Sequence, residues 1–370
     1  MTNTLQQLAD AGAAVWLDDL SRPRLQPGSL AAMVERGDIV GITTNPTIFA
    51  KAIGAGSGYE AQLRELALRG TAIGETLRQL TAWDVHAACD VLRPVFDRSA
   101  GRDGRASIEV DPRISGDAER TTAEARGLWL VDRPNLFIKI PATLAGLPAV
   151  TACLAEGISV NVILIFSPER YGAGLNAFLT GLEQRAAAGG SLDGVESVAS
   201  FFVSRVDTGA DKRLAALPAG GAGQDTAADV ARLHGQAAVA NARLAHALCE
   251  DALASPRWKA LAQKGARPQR LLWASTGVKG KASDDTRHVV DLVAPDTVNT
   301  TPEATPQAVA AHGINAGQHD PGQLRRGTDR PGRPCPDRAR IGPGSGWTWR
   351  TSPRRWRRRA SHRSPRAGTS

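Results

Sequence analysis

Eight short apolar or β-branched segments recur along the chain up to Thr300, and stretches with helical periodicity separate them. Strand-like segments that alternate with amphipathic helices predict a parallel β-sheet with helical crossovers. Eight of them in one unbroken series favour an α/β fold of the closed (β/α)8 TIM-barrel type. The strand candidates are Ala14–Asp18, Val40–Asn45, Ala106–Asp111, Asn135–Pro141, Ser159–Phe166, Ser197–Ser204, Arg270–Ser275 and Asp296–Thr300. The helical candidates are Ser29–Arg36, Tyr59–Arg69, Glu75–Phe96, Asp117–Leu130, Ala145–Glu156, Pro168–Ala187 and Thr226–Ala254.

The alternative to a barrel is an open doubly wound sheet that binds a nucleotide. The phosphate-binding fingerprints of that fold, GxGxxG and GxxxxGK[ST], are absent from the sequence, which disfavours it. Helix start signals agree with the periodicity, since Ser29 and Asp117 precede helical candidates and Ser167 precedes a proline at a first helical position.

The net charge of +8 is unevenly distributed along the chain. The segment Gly313–Ser370 holds 14 Arg, no Lys and 3 Asp, so it carries +11 and leaves −3 for residues 1–312. It also has 9 Gly and 7 Pro but few aliphatic side chains, too few for their burial to offset the chain entropy. We therefore predict a barrel domain over residues 1–312 and a disordered, low-complexity basic tail over residues 313–370.

Two interpretations of this tail differ in function. Its tryptophans, Trp347, Trp349 and Trp356, lie among arginines, a pattern typical of an arm that binds RNA or DNA by charge and stacking. Arginine without lysine, together with Gly, Pro, Ser and Trp, is also what a GC-rich gene yields when it is read out of frame. We favour the second interpretation, a frameshift product, and expect no nucleic-acid partner for the barrel.

The sequence carries no sign of export or of a membrane span. The N-terminus lacks the basic and apolar regions of a signal peptide, and no run approaches the ~18 apolar residues that a span needs. The cysteines show no CxxC spacing, which indicates reduced thiols without a metal; they are Cys89, Cys153, Cys249 and Cys335. We expect a cytoplasmic protein with no membrane partner.

Alternation along one strand places a lysine inside the predicted barrel. Ile138 and Ile140 face the helices, so Lys139 points inward. Burial between apolar neighbours disfavours the charged form of an amine, which suits a nucleophile that forms a Schiff base. An inward lysine can equally form a structural ion pair with a carboxylate. The sequence pattern does not distinguish the nucleophile from the ion pair.

The same parity places further polar groups inside the barrel. Their number exceeds what core packing requires and indicates an active site. The inward polar residues are Asp18, Thr43, Asn45, Glu109, Ser159, Asn161 and Ser200, and Ile163 and Ile165 share the inward parity of Asn161. Near the ends of later strands, Ser204-Arg205 and a turn from Ser275 to Lys279 suit a phosphate, which hydroxyls and backbone N–H groups bind and cations neutralise. Lys279 alone also fits an exposed loop, and its combination with Arg205 favours the phosphate site.

These segments closely resemble the transaldolase family, in order from about residue 5 to His312, and most of all its actinobacterial form. The motifs that carry the resemblance are Ile42–Phe49 (ITTNPTIF), Ser107–Ser115 (SIEVDPRIS), Asn135–Thr143 (NLFIKIPAT), Gly157–Ser167 (GISVNVILIFS), Val198–Asp207 (VASFFVSRVD) and Trp273–Lys279 (WASTGVK). The resemblance implies a class I aldolase of the pentose phosphate pathway, which transfers a dihydroxyacetone unit from sedoheptulose 7-phosphate to glyceraldehyde 3-phosphate. It implies phosphorylated sugar substrates and no metal or organic cofactor, because the lysine imine is the electron sink.

The resemblance also implies a role for each matching residue. Lys139 would form the Schiff base. Asp18 would handle the proton of the hydroxyl next to the scissile bond, and Glu109 would act through a water. Asn45 and Asn161 would hold substrate hydroxyls, and Ser200 would contact the dihydroxyacetone unit. The residues that would hold the phosphate are Arg205, Ser275 and Lys279.

The chain departs from the family at two places. The family has threonine at the position of Ile163, and that hydroxyl helps to hold the catalytic water beside the glutamate. Loss of a positioning group of this kind costs ~10²–10³ in rate, so we expect impaired turnover. The resemblance also ends near Gly313, before the final helices of the family, so we expect exposed apolar surface and low stability.

Three other functions stay open at this point. A fructose 6-phosphate aldolase shares the fold and the lysine but releases dihydroxyacetone, although that family is shorter. A pseudoenzyme that binds substrate without turnover is suggested by Ile163 and the altered C-terminus. Nucleic-acid binding through the tail is the third. The sequence does not predict an oligomeric state.

Overall fold

The computed structural model describes residues 4–26, 29–130, 133–216, 230–277 and 286–312. Within these ranges, eight parallel strands close into a barrel in sequence order, and the last strand pairs with the first. The strands are β1 Ala13–Leu17, β2 Gly41–Ile42, β3 Arg105–Glu109, β4 Leu136–Pro141, β5 Val160–Ile165, β6 Ser197–Phe202, β7 Arg270–Ala274 and β8 Thr297–Thr301. The predicted (β/α)8 barrel is confirmed, although β2 is shorter than expected. The predicted tail, residues 313–370, lies outside the described residues.

Helices connect the strands and begin where the sequence signals indicate. Asp117 and Ser167 each accept a hydrogen bond from the backbone N–H three residues further on, which caps the helix. Ser29 makes no such bond. The helices are α1 Thr4–Asp10, α2 Arg22–Leu25, α3 Leu30–Glu35, α4 Pro46–Gly54, α5 Glu60–Leu68, α6 Ile73–Arg98, α7 Ala118–Trp129, α8 Gly146–Ala155, α9 Pro168–Ala187, α10 Ser204–Ala215, α11 Ala237–Ala254, α12 Pro256–Ala262, α13 Arg287–Val290 and α14 Ala304–His312. None of the helices in the described ranges is long and apolar enough to cross a membrane.

One predicted helix is interrupted. The periodicity predicts a single helix over Thr226–Ala254, but α11 begins only at Ala237. Gly235 has a φ of +67°, a left-handed conformation that ends a helical segment. Residues 226–229 lie outside the described residues. The prediction of one continuous helix is therefore wrong in its first part.

Apolar side chains fill one layer of the barrel interior, and polar side chains follow two residues later. Trp16 of β1 and Phe137 of β4 belong to a buried cluster inside the barrel, with ring centroids 6.2 Å apart. Because side chains alternate along a strand, the next inward residues on these strands are Asp18 and Lys139. The apolar layer thus closes the amino-terminal side and leaves the polar groups at the carboxyl ends of the strands.

A bulge in β5 changes which of its residues face inward. The register against β6 gains one residue on β5 between Val162 and Ile165. Both of these side chains lie against Gly174 of α9, so Ile165 faces the helices and its predicted inward orientation is wrong. Leu164, within the bulge, has a φ of +61° and a 40% exposed side chain. The extra residue turns Leu164 towards the mouth of the barrel.

Candidate active site

Lys139 lies on β4 in the inward polar layer, and its side chain is buried. Its Nζ is 3.4 Å from Oε2 of Glu109, the residue beside it on β3. The same Nζ donates to the backbone carbonyl of Thr44. A buried amine beside a carboxylate can transfer its proton to that carboxylate and then act as a nucleophile. The contact therefore fits both roles considered for this lysine, the ion pair and the nucleophile.

Asp18 follows β1 and is bonded to a chain of hydroxyls. Thr43 Oγ1 donates to Asp18 Oδ1 at 3.0 Å and lies 2.6 Å from Thr300 Oγ1. Since Thr43 has one hydroxyl hydrogen and gives it to Asp18, Thr300 is the donor to Thr43. Burial raises the pKa of Asp18, while the positive charge of Lys139 and the hydrogen bond from Thr43 act in the opposite direction. A carboxyl group with a raised pKa suits proton transfer near neutral pH.

Asn161 and Ser200 form a hydrogen-bonded pair in the barrel. Ser200 Oγ donates to Asn161 Oδ1 at 2.7 Å, and Asn161 Nδ2 donates to Ser107 Oγ at 3.4 Å. Asn161 is fully buried, whereas Ser200 also lines the cavity described next. Asn161 thus orients Ser200, the member of the pair that reaches the cavity.

Asn45 lies at the first turn of α4. Its Oδ1 accepts from the backbone N–H of Ile48 at 3.0 Å and caps the helix. The cap fixes the orientation of the side-chain amide. Its NH2 group can donate a hydrogen bond to a hydroxyl of a ligand.

These groups surround a cavity of about 460 Å³ at the carboxyl ends of the strands. A cavity of this size holds a small metabolite. Its charged lining includes Asp18, Glu109 and Lys139. Its apolar lining includes Ile163, Leu164 and Phe202. Ile163 is in register with Pro141, two residues beyond Lys139 on β4.

Cations and hydroxyls line another part of this cavity. Arg205 is exposed on the first turn of α10, and its guanidinium lies 5.1 Å from the ring centroid of Phe202. Ser275 follows β7 with a φ of +56°, and its Oγ is 3.0 Å from Ser204 Oγ. The structure brings Arg205 and Ser275 to one cavity. Lys279 lies outside the described residues.

The cavity lining also contains residues that are not among the predicted site residues, such as Thr300, Lys51 and Leu164. Parity alone could have found Thr300, since it lies two residues beyond Val298 of the buried interior cluster. Leu164 depends on the bulge and Lys51 on the path of α4, neither of which has a clear sequence signal.

The fold and the site together define a class of protein. A buried lysine amine, paired with a carboxylate at the carboxyl ends of a parallel barrel, is the arrangement of enzymes that act through an amine nucleophile. Within the described ranges, no group of three or more His, Cys, Asp and Glu side chains is placed to hold a metal ion.

Comparison with known proteins identifies the family within this class. The model of the family described as Transaldolase/Fructose-6-phosphate aldolase matches residues 15–329. The chain is similar to "Transaldolase" of Thermobifida fusca, with 59% identity over 318 residues (86% of this chain, 84% of the relative), and to "Transaldolase" of Acidothermus cellulolyticus, with 58% identity over 318 residues (86% and 83%). It is also similar to "Transaldolase 2" of Streptomyces coelicolor, with 54% identity over 327 residues (88% and 86%).

The chain belongs to the transaldolase/fructose-6-phosphate aldolase family, which is a family of enzymes. The resemblance expected from the motifs is confirmed. The family match reaches residue 329, which lies inside the segment assigned to the tail.

Proposed function

We propose that this protein is a transaldolase, which transfers a dihydroxyacetone unit from sedoheptulose 7-phosphate to glyceraldehyde 3-phosphate in the pentose phosphate pathway. The products are erythrose 4-phosphate and fructose 6-phosphate. The observation that carries the proposal is the buried Lys139 amine, 3.4 Å from Glu109, in a cavity that also holds Asp18. The names of the curated relatives agree with it.

The reaction begins with imine formation at Lys139. Glu109 takes a proton from the ammonium group through a water, and the free amine attacks the ketone carbon of the donor sugar. The resulting carbinolamine loses water as Glu109 returns the proton to the departing hydroxyl, which leaves a protonated imine. This imine accepts the electrons of the neighbouring carbon–carbon bond, so the reaction needs no metal or organic cofactor.

Asp18 carries the proton of carbon–carbon bond cleavage. Its carboxylate removes the proton of the hydroxyl next to the scissile bond, the aldose leaves, and the electrons move onto the imine to give an enamine. The enamine then attacks the aldehyde carbon of the acceptor, and Asp18 returns the proton to the new alkoxide. Burial raises the pKa of Asp18, which supports this alternation between the two protonation states.

The substrate is held at both ends of the cavity. Asn45 and Ser200 hold the hydroxyls near the imine, and Asn161 contributes by orienting Ser200 through their hydrogen bond. The groups that hold the phosphate are Arg205, Ser275 and Lys279. Arginine and hydroxyl donors suit this dianion, and the contact of Arg205 with Phe202 restrains the guanidinium.

Ile163 favours a second candidate function, a protein that forms the imine but completes few turnovers. Ile163 lines the cavity together with Glu109 and Lys139, in the place of the family's threonine. The sec-butyl side chain of isoleucine offers no hydrogen bond to a water beside Glu109. Imine formation and hydrolysis both require that water, so both steps are slowed while binding is kept.

Borohydride reduction in the presence of fructose 6-phosphate tests the first chemical step. It converts an imine on Lys139 into a stable secondary amine, which is read as a mass gain on the peptide that contains this lysine. We expect the gain in the wild type and none in Lys139→Arg, which keeps the charge but not the nucleophile. Absence of trapping in the wild type contradicts the proposal.

An acceptor-dependence assay separates the related activities. A transaldolase forms product only when an acceptor aldehyde is present, whereas a fructose 6-phosphate aldolase releases free dihydroxyacetone without one. Trapping without turnover in either assay identifies the slow or inactive protein.

We also infer a cytoplasmic location and a barrel without a nucleic-acid partner. The described cysteines, Cys89, Cys153 and Cys249, are free thiols, which supports a reducing compartment. The net negative charge of residues 1–312 disfavours contact with a polyanion.

A further inference from the structure

A buried histidine–aspartate pair lies beside the segments that carry Arg205 and Ser275. His288 on α13 and Asp207 on α10 are both buried. The ring Nε2 of His288 is 3.3 Å from Asp207 Oδ2, and Nδ1 is 3.2 Å from the carbonyl oxygen of Thr276. Asp207 is two residues beyond Arg205, and Thr276 follows Ser275. The imidazole ring therefore connects the two segments to which the proposed phosphate ligands belong.

Both partners of the ring are hydrogen-bond acceptors. A backbone carbonyl and an ionised carboxylate accept and do not donate. Burial opposes ionisation of Asp207, but the hydrogen bonds from His288 and from the Ala238 N–H, at 2.7 Å, lower its pKa. With Asp207 ionised, both contacts are hydrogen bonds only when both ring nitrogens carry a hydrogen. The arrangement therefore favours the imidazolium form of His288 over either neutral tautomer.

Within the described residues, one charged side chain is bonded to the ring. Asp207 of α10 is bonded to it, while Asn299 of β8 is neutral and donates to the His288 carbonyl at 3.0 Å. On α13 itself, Arg287 pairs with Asp291 at 3.2 Å. Loss of a ring proton therefore breaks one of the two ring hydrogen bonds and removes the positive charge bonded to Asp207, on which Arg287 also acts by its charge.

Direct hydrogen bonds join the same two segments on the cavity side. The Val203 N–H donates to the carbonyl of Ala274 at 2.9 Å, and the Ser204 N–H donates to the carbonyl of Ser275 at 3.0 Å. The hydroxyls of Ser204 and Ser275 are 3.0 Å apart. The contacts of the His288 ring are thus a second connection between these segments, in addition to the direct hydrogen bonds. Both connections restrain the relative position of the two segments.

We propose that protonated His288 is a positioning residue for anion binding, which holds the segments of Arg205 and Ser275 together and makes that binding depend on pH. The inference rests on the proposed function only in assigning these two residues to phosphate. When the ring loses a proton, one of its nitrogens faces an acceptor without a hydrogen between them. The contact is then repulsive, the segments separate on that side, and the anion binds less tightly.

Sulfate is the probe for the proposed pH dependence of anion binding. It stays a dianion from about pH 6 to about pH 9, so a change in its affinity over this range comes from the protein, and histidines change charge near this range. Calorimetric titration measures its Kd without any need for turnover. We expect the wild-type Kd to rise about five- to tenfold across this range, as is typical of coupling between linked groups.

Two variants separate positioning from general stability. In Asp207→Asn, the side-chain oxygen still accepts from Ala238 and the amide donates to an unprotonated ring nitrogen, so a neutral His288 keeps both contacts. Its Kd should stay near the low-pH wild-type value throughout. His288→Phe removes both bonds and should bind weakly at every pH. As a matched control, His234→Gln alters another His–Asp pair, in which the exposed His234 lies 3.5 Å from the half-buried Asp211, and should keep the wild-type pH dependence.

The outcomes distinguish this inference from the proposed function. A pH-independent Kd in the wild type, or equal pH dependence in wild type and Asp207→Asn, overturns the role of His288 alone. Absence of sulfate binding to the wild type at any pH overturns both this role and the assignment of the phosphate ligands. If His288→Phe does not fold, the comparison of wild type with Asp207→Asn still decides the matter.

Discussion

Replacement of Ile163 by threonine tests whether a hydroxyl at this position is needed to hold the water beside Glu109. The Ile163 side chain is 3% exposed and lies in the cavity wall with Glu109 and Lys139. Isoleucine and threonine are both branched at Cβ, so the side chain keeps its χ1 preferences and β5 keeps its register with β4. The substitution exchanges an ethyl branch for a hydroxyl that faces the cavity.

The expected gain in transition-state stabilisation exceeds the expected loss of folding free energy. A hydroxyl that holds the water beside Glu109 contributes ~10²–10³ in rate, or about 2.7–4 kcal/mol of transition-state stabilisation. Removal of two buried carbons costs about 1–2 kcal/mol of folding free energy. The new hydroxyl borders a cavity in which water can satisfy it, so no larger cost from an unpaired polar group is expected. Ile163→Thr should therefore turn over faster and melt slightly lower.

Steady-state kinetics of dihydroxyacetone transfer between fructose 6-phosphate and erythrose 4-phosphate measure the effect. We expect kcat to rise ~10²–10³-fold in Ile163→Thr, with the extent of borohydride trapping on Lys139 unchanged at long reaction times. Ile163→Val keeps the branched shape without a hydroxyl and should stay at the wild-type rate. Equal kcat for wild type and Ile163→Thr would refute the reasoning, because the missing hydroxyl would then have no role in positioning water.

Three further predictions concern Asp18 and the C-terminal segment. Burial raises the pKa of Asp18 and the bond from Thr43 opposes this, so Thr43→Val should move the acidic limb of the kcat/KM profile to higher pH, while Thr43→Ser leaves it in place. Asp18→Asn should abolish transfer but raise the melting temperature near neutral pH. A raised folded-state pKa means that the ionised carboxylate destabilises the fold, so this gain should vanish once the pH falls below the ordinary pKa of aspartate. Deletion of Gly313–Ser370 should leave the melting temperature unchanged in a calorimetric scan, and a clear drop would show that the segment packs.

The barrel could be predicted because its signals are local. Alternation of apolar and polar residues indicates a strand, and an apolar period of 3.6 residues indicates a helix. Each of these patterns involves residues only a few positions apart. The helix predicted over Pro168–Ala187 matches α9 at both ends. The prediction fails where a local departure interrupts a regular pattern. Gly235 divides the helix expected over Thr226–Ala254, and a one-residue bulge in β5 turns Ile165 outward.

The inward groups of the site could be predicted for the same reason. Parity alone places Lys139, Glu109 and Asp18 on the interior side of their strands, and the structure brings all three to one cavity. Their distances and protonation depend on burial and on neighbours from other strands. The 3.4 Å contact between Lys139 and Glu109 follows from the register of β3 with β4, which no single segment encodes.

The sequence by itself determined the order of the strands, the barrel and the identity of the polar groups that face its interior. The physical reason is that the hydrophobic periods of extended and helical backbone are visible in residues that are close together in the sequence. Only the tertiary structure decided which of these groups touch. Asp207 and His288 are 81 positions apart and meet because β6 pairs with β7, which places the segments that follow these two strands side by side. Packing of the barrel buries Asp18 and raises its pKa, since desolvation is a property of the surrounding atoms and not of the aspartate.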